Sequence, residues 1–172
     1  MKMAQLAVPL SLLVMLTVGC RPKQASQVLK AFPLDSLDGV LAQTGVTLDR
    51  AISSDGRGSL RIDAAGPTTV RLFEMRDVAV DNARLTYRAR VKTENLDGRT
   101  YLEMWCAFAG EGEYFSRSNA SPVTGTVDWV TVETPFLLKK GEKPELVKLN
   151  IVVDGTGVVW VDDVALLKGS LR

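Results

Sequence analysis

Arg84-Leu85-Thr86-Tyr87-Arg88-Ala89-Arg90-Val91-Lys92 alternates polar and apolar residues without a break. In an extended chain Leu85, Tyr87, Ala89 and Val91 share one face, and Arg84, Thr86, Arg88, Arg90 and Lys92 share the other. A period of two means a strand with one face in a core and the other in water. Two more stretches repeat it. Val147, Leu149, Ile151 and Val153 oppose Lys148 and Asn150, while Leu102, Met104, Cys106 and Phe108 oppose Tyr101, Glu103 and Trp105. Further strand-like runs fall at residues 46–52, 58–63, 68–75, 113–118, 127–134 and 157–167. Asp38-Gly39, Asp55-Gly56, Asp97-Gly98 and Asp154-Gly155 separate these runs and read as turns, because Asp-Gly suits a positive φ. Beyond the first twenty residues no stretch sustains the apolar period of a helix. About ten short strands without helices predict an all-β fold, two antiparallel sheets packed face to face as a jelly-roll sandwich.

The chain opens differently. Met1-Lys2 precedes an apolar run from Leu6 to Val18, which ends in Leu16-Thr17-Val18-Gly19-Cys20. A charged start, a short hydrophobic region and small residues before a cleavage point make a secretory signal, and the run is too short for the roughly 20 residues of a membrane span. Leu-Thr-Val-Gly-Cys resembles the lipobox of bacterial lipoproteins. That resemblance implies a signal peptide over residues 1–19, cleavage before Cys20 and acyl chains on its thiol. Thr17 stands where the family prefers Leu. The polar residues 20–30 then read as a lipidated N-terminus and tether, and residues 31–172 as the folded domain. The resemblance implies export and anchoring in the envelope membrane. In a diderm host the outer membrane is expected, because Arg21 follows the cysteine where an Asp marks inner-membrane retention in many lipoproteins.

Composition narrows the function classes. The formal net charge is +1, without the basic excess of nucleic-acid-binding domains. The chain has no histidine, which removes the commonest general base and transition-metal ligand. With Cys20 lipidated, Cys106 is alone in a strand-like run and reads as a small core hydrophobe.

Three segments together resemble the galactose-binding-like jelly rolls, in particular the carbohydrate-binding modules appended to xylanases and glucanases. These are residues 55–62 (Asp-Gly-Arg-Gly-Ser-Leu-Arg-Ile), residues 128–136 (Asp-Trp-Val-Thr-Val-Glu-Thr-Pro-Phe) and the closing run Trp160-Val161-Asp162-Asp163-Val164. The resemblance covers roughly residues 55–168 and implies sugar binding without catalysis. It departs at the front, where such modules carry an Asn-x-Gly-Phe-Glu-like segment that helps form a structural calcium site. Residues 32–39 do not reproduce that segment. Asp163, with Asp35 or a backbone carbonyl, is the remaining calcium candidate; otherwise Asp162 and Asp163 shape the final strand and pair with arginines.

The candidate ligand face is Tyr101, Glu103, Trp105, Tyr114 and Arg117. Aromatic rings stack on the apolar side of a sugar, while Glu103 and Arg117 exchange hydrogen bonds with hydroxyls. Trp105 packed under the 110–116 loop as a structural aromatic is the competing reading. Nothing fixes Glu103 and Glu113 at a glycosidase separation. The stripe Arg84, Arg88, Arg90 reads as a solvated face, and Trp129 and Trp160 as fillers between sheets. The expected partner is a polysaccharide, with an envelope protein as the alternative. A groove shared by Tyr101, Trp105 and Tyr114 favours sugar, and a flat apolar patch favours protein.

Overall fold

A computed structural model describes residues 26–171. Eight strands follow in order: β1 Gln27–Phe32, β2 Val46–Asp49, β3 Ser59–Ala64, β4 Thr68–Arg76, β5 Ala83–Phe108, β6 Gly112–Arg117, β7 Val123–Leu138 and β8 Leu146–Gly169. Every pairing is antiparallel. The path runs β2-β3-β8-β5-β6, with β1 and β4 also on β8 and β7 also on β5. The chain is all-β, as its alternation predicts.

The strands are fewer and longer than expected. Residues 84–92 and 101–108 belong to one strand of 26 residues, β5, and residues 147–153 and 157–167 to one of 24, β8. The two pair from Arg84↔Gly169 to Ala107↔Leu146. Each is long enough to serve two layers. In the first layer, the start of β5 lies between β7 and the end of β8, which carries β1 and β3 on its far side. In the second layer, the end of β5 lies between β6 and the start of β8, which carries β4. With no helix among the described residues to cover the apolar face, one layer covers the other. Phe32 of β1 stacks on Phe73 of β4 at 3.7 Å, Phe108 of β5 meets Phe136 of β7 at 6.2 Å, and Ser116 Oγ of β6 lies 2.7 Å from Thr134 Oγ1 of β7.

Parity along the ribbon shows how this is done. The buried side chains of β5 are odd-numbered in the first layer (Leu85, Tyr87, Ala89, Val91) and even-numbered in the second (Leu102, Met104, Cys106). An extra residue is needed for that switch. The register supplies it between Glu94↔Val158 and Asp97↔Thr156, where Asn95 has φ 49°. In β8 the core passes from Val159 and Val161 to Val164 and Leu166, and Asp163, with φ 47°, is the extra residue there. Asn and Asp tolerate this left-handed conformation better than other residues with a Cβ, and a bulge of this kind bends its strand. Burial also pushes the Cys106 thiol pKa up to about 12, so Cys106 is the inert core residue its position implies.

Two expected turns are not turns. Asp38-Gly39 and Asp55-Gly56 lie in connections, but Gly98 and Gly155 face each other in the middle of the ribbon, with φ +119° and +154°. The dipeptide's tolerance of positive φ is used where the two strands pinch together between layers. A second boundary shifts as well. β1 starts at Gln27, inside the segment read as tether, because Val28, Lys30, Ala31 and Phe32 pair with β8 from Leu167 to Val164, with Leu29 at a bulge. The signal peptide and Cys20 lie outside the described residues.

A Cβ on Gly98 would stand 2.2 Å from the Asp154 carbonyl oxygen, and one on Gly155 2.0 Å from that of Asp97. Gly98→Ala and Gly155→Ala are each predicted to cost roughly 3 kcal/mol in urea unfolding, since overpacking adds to a strained backbone. Gly39→Ala, at φ +77° with nothing within 4 Å, should cost only about 1 kcal/mol. Equal losses at all three sites would show that the two strands are not pinched together at Gly98 and Gly155.

Candidate functional site

The outer face of the second layer is built from β4, β8, β5 and β6. Its residues stand in rows across the strands, because antiparallel pairing sets them directly opposite. Arg71, Asn150, Glu103 and Arg117 make one row, Glu74, Lys148, Trp105 and Phe115 the next, and Thr69, Val152 and Tyr101 a third. Their partners one residue along the chain, Leu149, Leu102 and Met104, are fully buried in the core. Alternation alone therefore presents Tyr101, Glu103 and Trp105 together.

Glu103 sits at the centre and is only 4 % exposed. A carboxylate so placed must have its oxygens occupied or be neutralised. Trp105 Nε1 donates to its Oε1 at 2.6 Å, Asn150 Nδ2 donates to the same atom at 3.1 Å, and Arg117 Nε donates to Oε2 at 2.5 Å. Burial pushes the Glu103 pKa up, but these hydrogen bonds and the Arg117 charge outweigh it and leave it below the ordinary glutamate value. The carboxylate thus fixes the indole and the guanidinium on either side of it. Trp105, partly exposed, meets Phe115 at 4.9 Å with a 46° tilt, and the Arg117 guanidinium lies 4.3 Å from the other ring's centroid. Neighbouring cations are matched by acids: Lys148 to Glu113 at 2.6 Å, Arg71 to Glu74 at 2.7 Å, Arg99 to Asp154 at 3.0 Å. The face offers aromatic surface and many hydrogen-bonding groups, with little net charge.

Four of the five expected ligand residues share this face. Tyr101, Glu103, Trp105 and Arg117 are on it, and the Arg99 guanidinium stands 5.9 Å from the Tyr101 centroid. Tyr114 is not. It pairs with Cys106, whose side chain points into the core, so Tyr114 leaves β6 on the opposite side, next to Phe108 at 6.1 Å. Tyr114 therefore does not share the outer face with Tyr101 and Trp105. Phe115 takes the place expected of Tyr114. The signal was in the sequence: along β6, Glu113, Phe115 and Arg117 have one parity, and Tyr114 has the other.

The remaining candidates have structural partners, except that the buried Asp35 Oδ1 has no hydrogen-bond partner. Asp162 is fully buried and accepts the Ser54 and Asp163 backbone N–H groups at 2.7 and 2.8 Å, tying residues 50–58 to the β8 bulge. Asp163 accepts the Ser54 hydroxyl at 3.2 Å. The Arg57 guanidinium lies 2.6 Å from Asp55 and 3.4 Å from Asp35; the Asp55 hydrogen bond, then the Asp35 and Asp163 charges, raise its pKa. The Arg57 guanidinium thus stands beside Asp35 and Asp55, while Asp163 is held by Ser54. Among the described residues no three His, Cys, Asp or Glu side chains converge. Calcium takes six to eight oxygens, more than carboxylate side chains alone supply here. Trp160 is 1 % exposed and donates to Asp49 at 2.9 Å, and Arg90 donates to the Trp129 carbonyl at 3.2 Å.

No protein-family model and no curated protein matches this sequence. Solved structures do. The CBM22-1 xylan-binding domain of Paenibacillus barcinonensis Xyn10C is 15 % identical, with a TM-score of 0.60 over 87 % of this chain and 99 % of that one. The CBM22-1–GH10 modules of Clostridium thermocellum endo-1,4-β-D-xylanase 10B, complexed with xylohexaose, are 15 % identical, with a TM-score of 0.60 over 83 % of this chain and 28 % of that one. A family 16 carbohydrate-binding module is 10 % identical, with a TM-score of 0.56 over 76 % of this chain and 91 % of that one. At these identities the likeness is one of fold, and it agrees with the jelly-roll sandwich.

The Glu103 network makes stability depend on acid. A carboxylate whose folded pKa is depressed contributes stability fully above its unfolded value of about 4.3, and the contribution is lost as pH falls through the folded pKa. The melting temperature should therefore drop below about pH 4. In Glu103→Gln it should start lower at pH 7 and fall less steeply on acidification. Parallel pH profiles in the two proteins would show that Glu103 is not held as the hydrogen bonds imply.

Proposed function

We propose that this chain is a non-catalytic carbohydrate-binding domain held on the bacterial cell envelope by lipid on Cys20. The observation that carries the binding reading is the Glu103-centred face, where a buried carboxylate fixes Trp105 in a field of paired hydrogen-bonding side chains. A pyranose offers an apolar C–H side for the indole and hydroxyls for Asn150, Lys148 and Arg117. The near balance of charge on the face suits a neutral polysaccharide. Xylan is the first probe, because the names of two structural neighbours state xylan binding or xylohexaose.

The same geometry supports binding without catalysis. A glycosidase acid keeps its proton near neutral pH and stands opposite a second free carboxyl group. Glu103 is held ionised with both oxygens engaged, and Glu113 is paired with Lys148. For the anchor, support comes from the sequence: the apolar run stops at Leu16-Thr17-Val18-Gly19-Cys20, and more than one acyl chain on Cys20 gives stable membrane attachment.

Two experiments test the reading. On a glycan array and in titrations with xylan fragments, the protein should bind. Trp105→Ala should abolish binding and lower stability by only about 1 to 2 kcal/mol, from the lost ring contact and hydrogen bond. The buried Trp160→Ala change should cost about 3 to 5 kcal/mol, or roughly 10 °C in melting temperature. Unchanged glycan affinity in Trp105→Ala would overturn the site. In cells, Cys20→Ser should leave an unprocessed precursor or release soluble protein, and normal membrane fractionation of that variant would overturn the anchor.

A further inference from the structure

Six large hydrophobic side chains are exposed among the described residues, and three of them, Tyr114, Phe115 and Leu137, gather at one place. They are the lips of a cleft of about 410 Å³ at the edge of the sandwich, between β6 of the second layer and β7 of the first. Phe108 and Phe136 form its floor. We propose that this edge cleft is a second subsite for the same glycan, taking one further sugar ring of a chain that crosses the sheet face; the inference rests on the glycan reading of that face.

Size, chemistry and position each support it. The volume falls within the roughly 300 to 1,000 Å³ of small-molecule sites, whereas a protein partner needs a patch of about 800 Å². The walls are aromatic and the rim is polar. Glu111, Lys139 and Glu142 line it, with Glu142 accepting the Lys139 backbone N–H at 2.7 Å. The Tyr114 hydroxyl donates to the Glu111 carbonyl at 3.1 Å, which sets the ring against the hairpin. This is again an aromatic surface beside hydrogen-bonding groups, the combination found around Trp105. The row Glu74, Lys148, Trp105, Phe115 crosses four strands and ends on β6, the last strand of the path. At a spacing of about 4.8 Å it is about 14 Å long. Phe115 belongs to both sites: it meets Trp105 on the face and lines the cleft beyond the edge. An oligosaccharide longer than the row passes over Phe115 and reaches Tyr114.

Chain length is therefore the readout. Xylo-oligosaccharides from the disaccharide to the hexasaccharide are titrated against the full chain, Tyr114→Ala, Leu137→Ser and Trp105→Ala, with a melting curve for each. Tyr114 and Leu137 are half or more exposed, so both variants should keep the wild-type melting temperature. Wild-type affinity should rise with length. Tyr114→Ala and Leu137→Ser should lose about fivefold to tenfold for the hexasaccharide, the size of one aromatic contact, and stay within about twofold for the disaccharide. Trp105→Ala should lose both. If Tyr114→Ala and Leu137→Ser match the wild type at every length while Trp105→Ala still loses binding, the cleft is no subsite and the sheet-face reading stands. If the wild type binds no oligosaccharide at any length, both readings fall together.

Discussion

Gly98 and Gly155 pass so close that neither has room for a Cβ, and the arrangement of both layers follows from that contact. β5 and β8 are a single antiparallel ribbon. A ribbon this long, flat and half apolar would expose a wide hydrophobic face. Bent, it covers that face with itself. The bend needs backbone conformations that side chains forbid and a change of parity that regular pairing forbids. The glycines supply the first, and the bulges at Asn95 and Asp163 supply the second. Contacts between the layers then close the sheet edges, among them Phe32 on Phe73 and Ser116 against Thr134 and Pro135.

Glu103 plays the corresponding part on the outer face. Removing a carboxylate from water costs several kcal/mol unless charge and hydrogen bonds replace the solvent. Here they come from three strands: Trp105 from β5 itself, Asn150 from β8 and Arg117 from β6. The same bonds that keep the carboxylate ionised also immobilise the indole. A ring held in place before a ligand arrives loses little freedom on binding. The arrangement has a cost in chemistry, because a glutamate with every oxygen engaged has no proton to give.

Much of this was legible in the sequence, and the limit has a physical origin. Period-two alternation identifies which side chains of residues 101–108 enter the core, because burial there follows from the backbone alone. The same rule, applied to residues 113–117, puts Phe115 beside Trp105 and sends Tyr114 elsewhere. The Asp-Gly pairs were ambiguous for a different reason. A sequence marks where φ is positive, but not whether the chain turns there or a neighbouring strand presses in. β1 was hidden because its apolar residues have partners only once the end of β8 is in place. The burial of Glu103 was hidden likewise, since Asn150 is 47 residues away along the chain. Arg57, flanked by Asp35 and Asp55, is another contact that only the fold assembles.

The rung Gln27↔Lys168 joins the two ends of the described fold in one layer, while Trp105 and its neighbours look outward from the other. Chain arriving at Gln27 and chain leaving at Lys168 therefore meet on the side away from the aromatic row. A tether joined at Gln27 would then approach the layer opposite that row. The fold is built like a hand on a wrist, with the aromatic row as a palm turned away from both ends of the described chain.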